Sequence, residues 1–286
     1  MTEKWHLIID VDKCENCNNC LLACKDEFTD NWFDGYSSPQ PRHGHRWIKI
    51  NKKERGKFPH VDVAYLPVPC FHCEDAPCVR ASKDGEVYQR SDGIVLIDPL
   101  RARGQADIVK SCPHGAIWWN EEENVAQKCT LCAHLLDDGW REPRCVTVCP
   151  TGALQFKKLE RKQADDFIKT NNLQRYGTDQ TSFPAVLYKN LYRYTGCFIS
   201  GSIAVTTNGV TDCLKEARVL LTTESGEKVN EMITDCFGDF KFDGLKENSG
   251  EYIVKVSHPD YGEKEMTHDL KESAYVGVIN IKGETK

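Results

Sequence analysis

Twelve of the fifteen cysteines in this 286-residue chain stand at short, repeated intervals before residue 150. Thiolate sulfur is a strong ligand for iron and zinc, and closely spaced cysteines let one loop bind a metal site at several points. The cysteines form four runs: Cys14, Cys17, Cys20 and Cys24; Cys70, Cys73 and Cys78; Cys112; and Cys129, Cys132, Cys145 and Cys149. The intervals predict metal–thiolate loops.

Iron–sulfur clusters suit these runs better than zinc or disulfides do. Zinc closes its site with two Cys-x2-Cys pairs. The run from Cys14 to Cys24 instead has the Cys-x2-Cys-x2-Cys-x3-Cys spacing of a bacterial ferredoxin, and Cys112 and Cys149 are each followed by proline. We therefore predict [4Fe–4S] clusters, with zinc and disulfides as the alternatives.

The second and third runs lack cysteines at four positions that would serve a single cluster. In two-cluster ferredoxins the fourth cysteine of a run ligates the other cluster. By that rule, a fourth cluster would need cysteines where this chain has Ser82, Ala102, Gln105 and Ile108. One whole ligand set is missing and the others are complete, so the sequence predicts three clusters.

The same rule divides the twelve cysteines into three sets of four. The predicted ligands are Cys14, Cys17, Cys20 and Cys149 for cluster 1; Cys129, Cys132, Cys145 and Cys24 for cluster 2; and Cys70, Cys73, Cys78 and Cys112 for cluster 3. His72 and His114 stand beside ligands of cluster 3. Their side chains are expected to pack or hydrogen-bond near the cluster, or to tune its potential.

Bulk properties exclude several classes of protein. The net charge of −6 and a pI near 5.9 give no electrostatic reason for nucleic acid as a partner. No apolar run approaches the roughly 18 residues of a membrane-spanning helix. The N-terminus lacks the features of a signal peptide, so we expect a cytoplasmic protein, with export alongside a partner left open.

Two Cys-Pro-x-Gly-Ala elements, at residues 112–116 and 149–153, mark a repeated unit. Each turns at a glycine and should continue into a strand. Short apolar strands are predicted at 7–11, 94–97, 116–119 and 153–156. This order predicts an α+β fold in which a duplicated bacterial-ferredoxin-like domain with insertions occupies residues 1–157.

We predict that residues 158–196 form a connector packed on that domain. We predict that residues 197–286 form a separate antiparallel β-sandwich. Strands are predicted at 198–206, 217–222, 228–234, 239–242, 251–257 and 276–281. Segments 201–205, 217–221, 238–242 and 250–256 resemble the prealbumin-like or carboxypeptidase-regulatory-like family. Cys197, Cys213 and Cys236 lie outside the runs, and we expect them to be small buried or half-buried side chains.

The sequence contains no nucleophile elbow, phosphate loop, dinucleotide fingerprint or zinc-protease motif. This absence favours a non-catalytic subunit that holds or moves electrons while a partner performs the chemistry.

The cysteine order and the sequence Cys-Thr-Leu-Cys-Ala-His at 129–134 resemble the iron–sulfur subunits of the dimethyl-sulfoxide-reductase family of molybdopterin enzymes. The resemblance is narrower than this family. It extends to the small (beta) subunits of pyrogallol–phloroglucinol transhydroxylases through the missing ligand set, the appended sandwich and residues 120–138 and 188–193. That resemblance implies a large catalytic subunit with molybdenum or tungsten bound by bis-molybdopterin guanine dinucleotide. It also implies hydroxyl transfer between trihydroxybenzenes.

Two alternatives stay open at this point. The protein could serve a related resorcinol hydroxylase, catechol dehydroxylase or other oxidoreductase of the same family, because the substrate is chosen in the large subunit. It could also be a free-standing polyferredoxin with a protein-binding sandwich, which would purify as a monomer.

Overall fold

The computed structural model describes residues 3–177 and 184–282, except for the side chain of Lys282. The chain divides into two compact units. The first comprises Met1–Lys52 and Tyr65–Leu191, and the second comprises Lys53–Ala64 and Tyr192–Lys286. A short segment from the first half of the chain thus groups with the C-terminal unit.

Strand β1 (Lys4–Asp10) is the centre of a three-stranded sheet in the first unit. It pairs antiparallel with β8 (Leu154–Leu159) and parallel with β9 (Val186–Lys189). Leu7 and Ile9 of β1 are at most 1% exposed, so the strand is buried in the core. Strand β9 lies within the predicted connector, which therefore supplies part of this sheet.

Short elements surround this sheet. The helices of the first unit are α1 Asn19–Phe28, α2 Pro77–Ala81, α3 Ala133–Asp137, α4 Arg144–Thr147 and α5 Arg161–Thr170, with a 3-10 helix at Ala106–Ser111. The remaining strands form three hairpins, β2 Ile48–Lys57 with β3 His60–Pro69, β4 Val87–Gln89 with β5 Val95–Ile97, and β6 Trp118–Asn120 with β7 Val125–Gln127. The four predicted strands correspond to β1, β5, β6 and β8. Among the described residues the longest helices have ten residues, and none is long and apolar enough to cross a bilayer.

The second unit contains two four-stranded sheets. One has the order β11-β10-β14 with β17 also on β10, and the other has the order β13-β12-β15-β16. The elements are α6 Tyr192–Thr195, β10 Cys197–Thr207, β11 Val210–Cys213, β12 Arg218–Thr223, β13 Lys228–Ile233, β14 Asp239–Leu245, β15 Gly250–His258, β16 Gly262–Leu270 and β17 Ala274–Lys282. Side chains from both sheets form one core, which includes Val219, Phe240, Val254 and Ile279.

The structure corrects two details of the sandwich prediction. The sheets are antiparallel except for β10 and β17, which pair in parallel. Strand β17 follows β16 of the other sheet, and a segment that crosses between sheets is free of the antiparallel geometry that a hairpin imposes. The free cysteines Cys213 and Cys236 are exposed, so the prediction of buried side chains was wrong for them and right for Cys197.

A buried arginine holds residues 53–64 within the second unit. The Arg55 side chain is 1% exposed. Its guanidinium donates two hydrogen bonds to the Asp243 carboxylate, at 2.7 and 2.8 Å, and another to Asp62. It also lies 5.4 Å from the centre of the Phe198 ring. This planar, bidentate contact uses a geometry that lysine lacks.

Candidate iron–sulfur centres

Four cysteines from three elements line one enclosed cavity in the first unit. They are Cys24 of α1, Cys129 and Cys132 of the loop that leads into α3, and Cys145 of α4. Apolar side chains, including Phe28 and Trp47, complete the wall. These four cysteines are the set predicted for cluster 2.

A second cavity is lined by the cysteines of the third predicted set, Cys70, Cys73, Cys78 and Cys112. Three polar side chains, those of His72, His114 and Lys128, share its wall. Among the described residues, no three His, Cys, Asp or Glu side chains are placed to share a single metal ion.

The cysteines of the first predicted set are close enough to influence each other's charge. Burial, together with the neighbouring Cys14, Cys17 and Cys149, raises the pKa of Cys20 to about 12. The pKa of Cys14 is raised by burial and by Cys149 and Cys17. Cys17 is exposed, so this group lies nearer the surface than the other two.

Three of the four Cys-x2-Cys loops share one backbone feature. The residue before the second cysteine is left-handed in these three, with φ of 56° at Asn16, 45° at His72 and 50° at Leu131, whereas the loop from Cys17 to Cys20 has its left-handed residue one position earlier, at Asn18. Such a conformation costs a residue with a side chain about 1–2 kcal/mol. Strain of this kind persists where the surrounding structure enforces it, often at functional sites. Its repetition at one position indicates that all three loops are shaped for the same task.

Backbone N–H groups beside Cys129 and Cys112 point at the sulfurs of these two cysteines. The amide of Leu131 donates to Cys129 Sγ at 3.4 Å, and that of Ala116 donates to Cys112 Sγ at 3.5 Å. Gly115, with φ of 61°, provides the turn after Cys112 that places the Ala116 amide. Hydrogen bonds to sulfur are one of the levers that set the potential of a bound cluster.

The buried thiols need a cation to lose their protons. Burial raises the pKa of Cys132 to about 12 and that of Cys129 to about 11. It raises the pKa of Cys24 and Cys145 well above the ordinary value, with neighbouring cysteines adding to the effect. Iron binding supplies the positive charge that stabilises such thiolates and releases their protons. The donor set, its burial and its loops therefore fit iron–sulfur clusters.

Protein atoms occupy the positions of the missing ligand set. The Ser82 hydroxyl donates to the Glu86 carboxylate, which also accepts the amides of Lys83 and Asp84 at 3.0 Å. The side chains of Ala102 and Ile108 are 0% and 9% exposed. Ser82 is therefore hydrogen-bonded within its own loop, and Ala102 and Ile108 are buried side chains.

Sequence reasoning missed one buried residue among the cysteines. Lys128 is 2% exposed, lines the cavity of the third set and directly precedes Cys129 of the second. Its burial is notable because lysine is almost never fully buried unless its charge is paired. The signal that the sequence offered was its position directly before the predicted ligand Cys129.

Cysteine-lined cavities carried by ferredoxin-type loops define an iron–sulfur protein. In agreement, residues 61–159 match the family model of the 4Fe-4S dicluster domain. The small subunit of pyrogallol hydroxytransferase from Pelobacter acidigallici is 44% identical over 89% of this chain and 90% of its own length. This protein belongs to the family of pyrogallol hydroxytransferase small subunits, which confirms the resemblance predicted from its sequence.

More distant relatives are subunits of reductases. The B subunit of the anaerobic dimethyl sulfoxide reductase of Escherichia coli is 31% identical over 61% of this chain and 84% of its own length. The electron transfer subunit of thiosulfate reductase from Salmonella typhi is 30% identical over 61% of this chain and 86% of its own length. Among solved structures, the match to Klebsiella pneumoniae 5-hydroxyisourate hydrolase spans 30% of this chain and 87% of the hydrolase chain, at 15% sequence identity. Its TM-score of 0.25 is too low to classify the sandwich. The prealbumin-like assignment stays a prediction.

Proposed function

We propose that this chain is the non-catalytic electron-transfer subunit of an enzyme that transfers hydroxyl groups between trihydroxybenzenes. The large subunit would carry molybdenum or tungsten on bis-molybdopterin guanine dinucleotide and would bind the aromatic substrate. The observation that carries this proposal is the extent of the similarity to the Pelobacter protein. Its 257 matched residues exceed the 191 that precede Tyr192, where the C-terminal segment of the second unit begins, so the similarity reaches into the sandwich.

We propose further that the protein binds three [4Fe–4S] clusters, with the three cysteine sets as ligands. When bound, such clusters accept and release electrons at potentials set by charge, hydrogen bonds and solvent access. The protein contributes the thiolates, the amide donors at Cys112 and Cys129, and the apolar wall around Cys24 that keeps water out.

Co-purification from the native host tests the partner and the cluster number together. We expect the protein to elute with a large subunit that contains molybdenum or tungsten, and to contain about twelve irons. Elution as an iron-loaded monomer would instead favour the free-standing polyferredoxin. About sixteen irons would contradict the three-cluster assignment without affecting the choice of partner.

A related resorcinol hydroxylase or catechol dehydroxylase is the second candidate. Hydroxyl transfer has no net oxidation, so it does not obviously need three clusters, and relatives at 30–31% identity belong to reductases. Turnover of pyrogallol by the purified complex, with and without an external electron acceptor or donor, separates the two. A transhydroxylase works without either, whereas a hydroxylase or dehydroxylase requires one stoichiometrically.

A further inference from the structure

We propose that Lys128 is a buried cation whose positive charge raises the reduction potential of the cluster held by Cys70, Cys73, Cys78 and Cys112. This inference rests on the proposed ligation of that cluster. It concerns a residue that lies between two cofactor sites and is not itself a ligand.

The Lys128 ammonium group is buried and lacks a carboxylate partner. It donates hydrogen bonds to the backbone carbonyls of Val95 and of Cys129, the latter at 3.0 Å. Among the described residues no aspartate or glutamate lies within ion-pair distance of it. A buried cation is costly unless an anion compensates it. The thiolate-rich cavity that Lys128 lines provides that anion.

His72 places a second donor in the same wall. Its Nδ1 accepts the Val95 amide hydrogen at 3.0 Å, so Nε2 must carry the ring proton. That Nε2 is buried and makes no hydrogen bond of ordinary geometry, although the Cys129 backbone lies close enough to interact with the ring. The peptide groups flanking Val95 thus fix both side chains, one through its N–H and one through its carbonyl.

The direction of the effect follows from charge. Reduction makes a cluster more negative, and a nearby positive charge at low dielectric stabilises the reduced form. Lys110 is a natural comparison, since it lies two residues before Cys112 but its side chain is 84% exposed. Water and salt screen an exposed charge, so Lys110 should have little influence.

Redox titration of the intact complex, followed by EPR, tests the proposal with K128Q, K128R and K110Q. K128Q keeps an amide donor but removes the charge. We expect it to shift the reduction equilibrium of this cluster about tenfold toward the oxidised form, which is 59 mV for one electron. K128R and K110Q should titrate like the wild type. If K128Q loses the cluster while K128R retains it, the need for the charge is likewise supported.

Two results would overturn the proposal. One is a fully loaded K128Q protein whose cluster titrates at the wild-type potential. The other is loss of this cluster from both K128Q and K128R, which would show that the lysine is needed only for packing. Failure of the ligation itself is recognised separately, because the wild-type complex would then lack twelve irons.

Discussion

The Ser82 hydroxyl donates a hydrogen bond to the Glu86 carboxylate, at the position where a fourth cysteine would complete the second run. The Val87 amide in turn donates to Ser82 Oγ at 3.1 Å. The absent ligand is therefore replaced by a side chain with a hydrogen-bonding role of its own.

Restoring a single cysteine at this site should not restore a cluster. In S82C, the residues at 102, 105 and 108 still provide no thiolate, so we expect iron to stay near twelve per chain. The weaker thiol donor should lower the free energy of unfolding by about 1 kcal/mol. Iron analysis and denaturant unfolding measure both effects. A gain of about four irons would refute the assignment of the missing set.

Cysteines of one set should be spectroscopically equivalent. We expect C73S and C112S to alter the same EPR signal, because both side chains line one cavity. By the same reasoning C24S and C145S should alter a second signal together. EPR of the reduced complexes distinguishes the outcomes. Different signals lost within one pair would contradict the grouping.

Removing the Arg55 guanidinium should destabilise the second unit. R55M leaves Asp62 and Asp243 without their shared buried cation, and we expect a loss of about 3 kcal/mol. R55K should recover only part of this stability. Lysine keeps the positive charge, but it cannot bind both carboxylates in the geometry of the guanidinium group. Hydrogen exchange of the amides in β10 and β14 measures the loss. The exposed Lys57–Glu272 pair is the control, and K57M should change exchange little.

The contribution of Asp62 to the free energy of unfolding should be constant near neutral pH. Burial would raise the pKa of Asp62, but hydrogen bonds from Lys241 and Arg55 outweigh it and lower the pKa to about 2, from 3.8. A carboxylate with a depressed pKa stabilises the fold above its unfolded pKa and loses that contribution as the pH falls through its folded pKa. We therefore expect the D62N penalty in urea unfolding to be flat from pH 5 to 8. A penalty that grows or shrinks across that range would contradict this ion pairing.

Much of the fold was predictable because its signals are local. Alternating apolar residues predicted β10, β12 and β15, and the Cys-Pro-x-Gly-Ala elements located β6 and β8. Strand β16 was missed because its segment, from Gly262, is mostly polar and lies at the edge of its sheet, where little of it is buried. A buried-face pattern cannot reveal a strand that has scarcely any buried face.

The sequence by itself predicted which cysteines would act as ligands, because ligand spacing within a loop is a local property, and it also predicted which ligand set would be absent. Tertiary structure decided everything that depends on distant partners. It assigned residues 53–64 to the C-terminal unit through Arg55 and Asp243, which are 188 positions apart. It also buried Lys128 against Val95, 33 positions away. Neither lysine nor arginine carries a local mark of its partner, since a charge is buried only where the fold brings an acceptor to it.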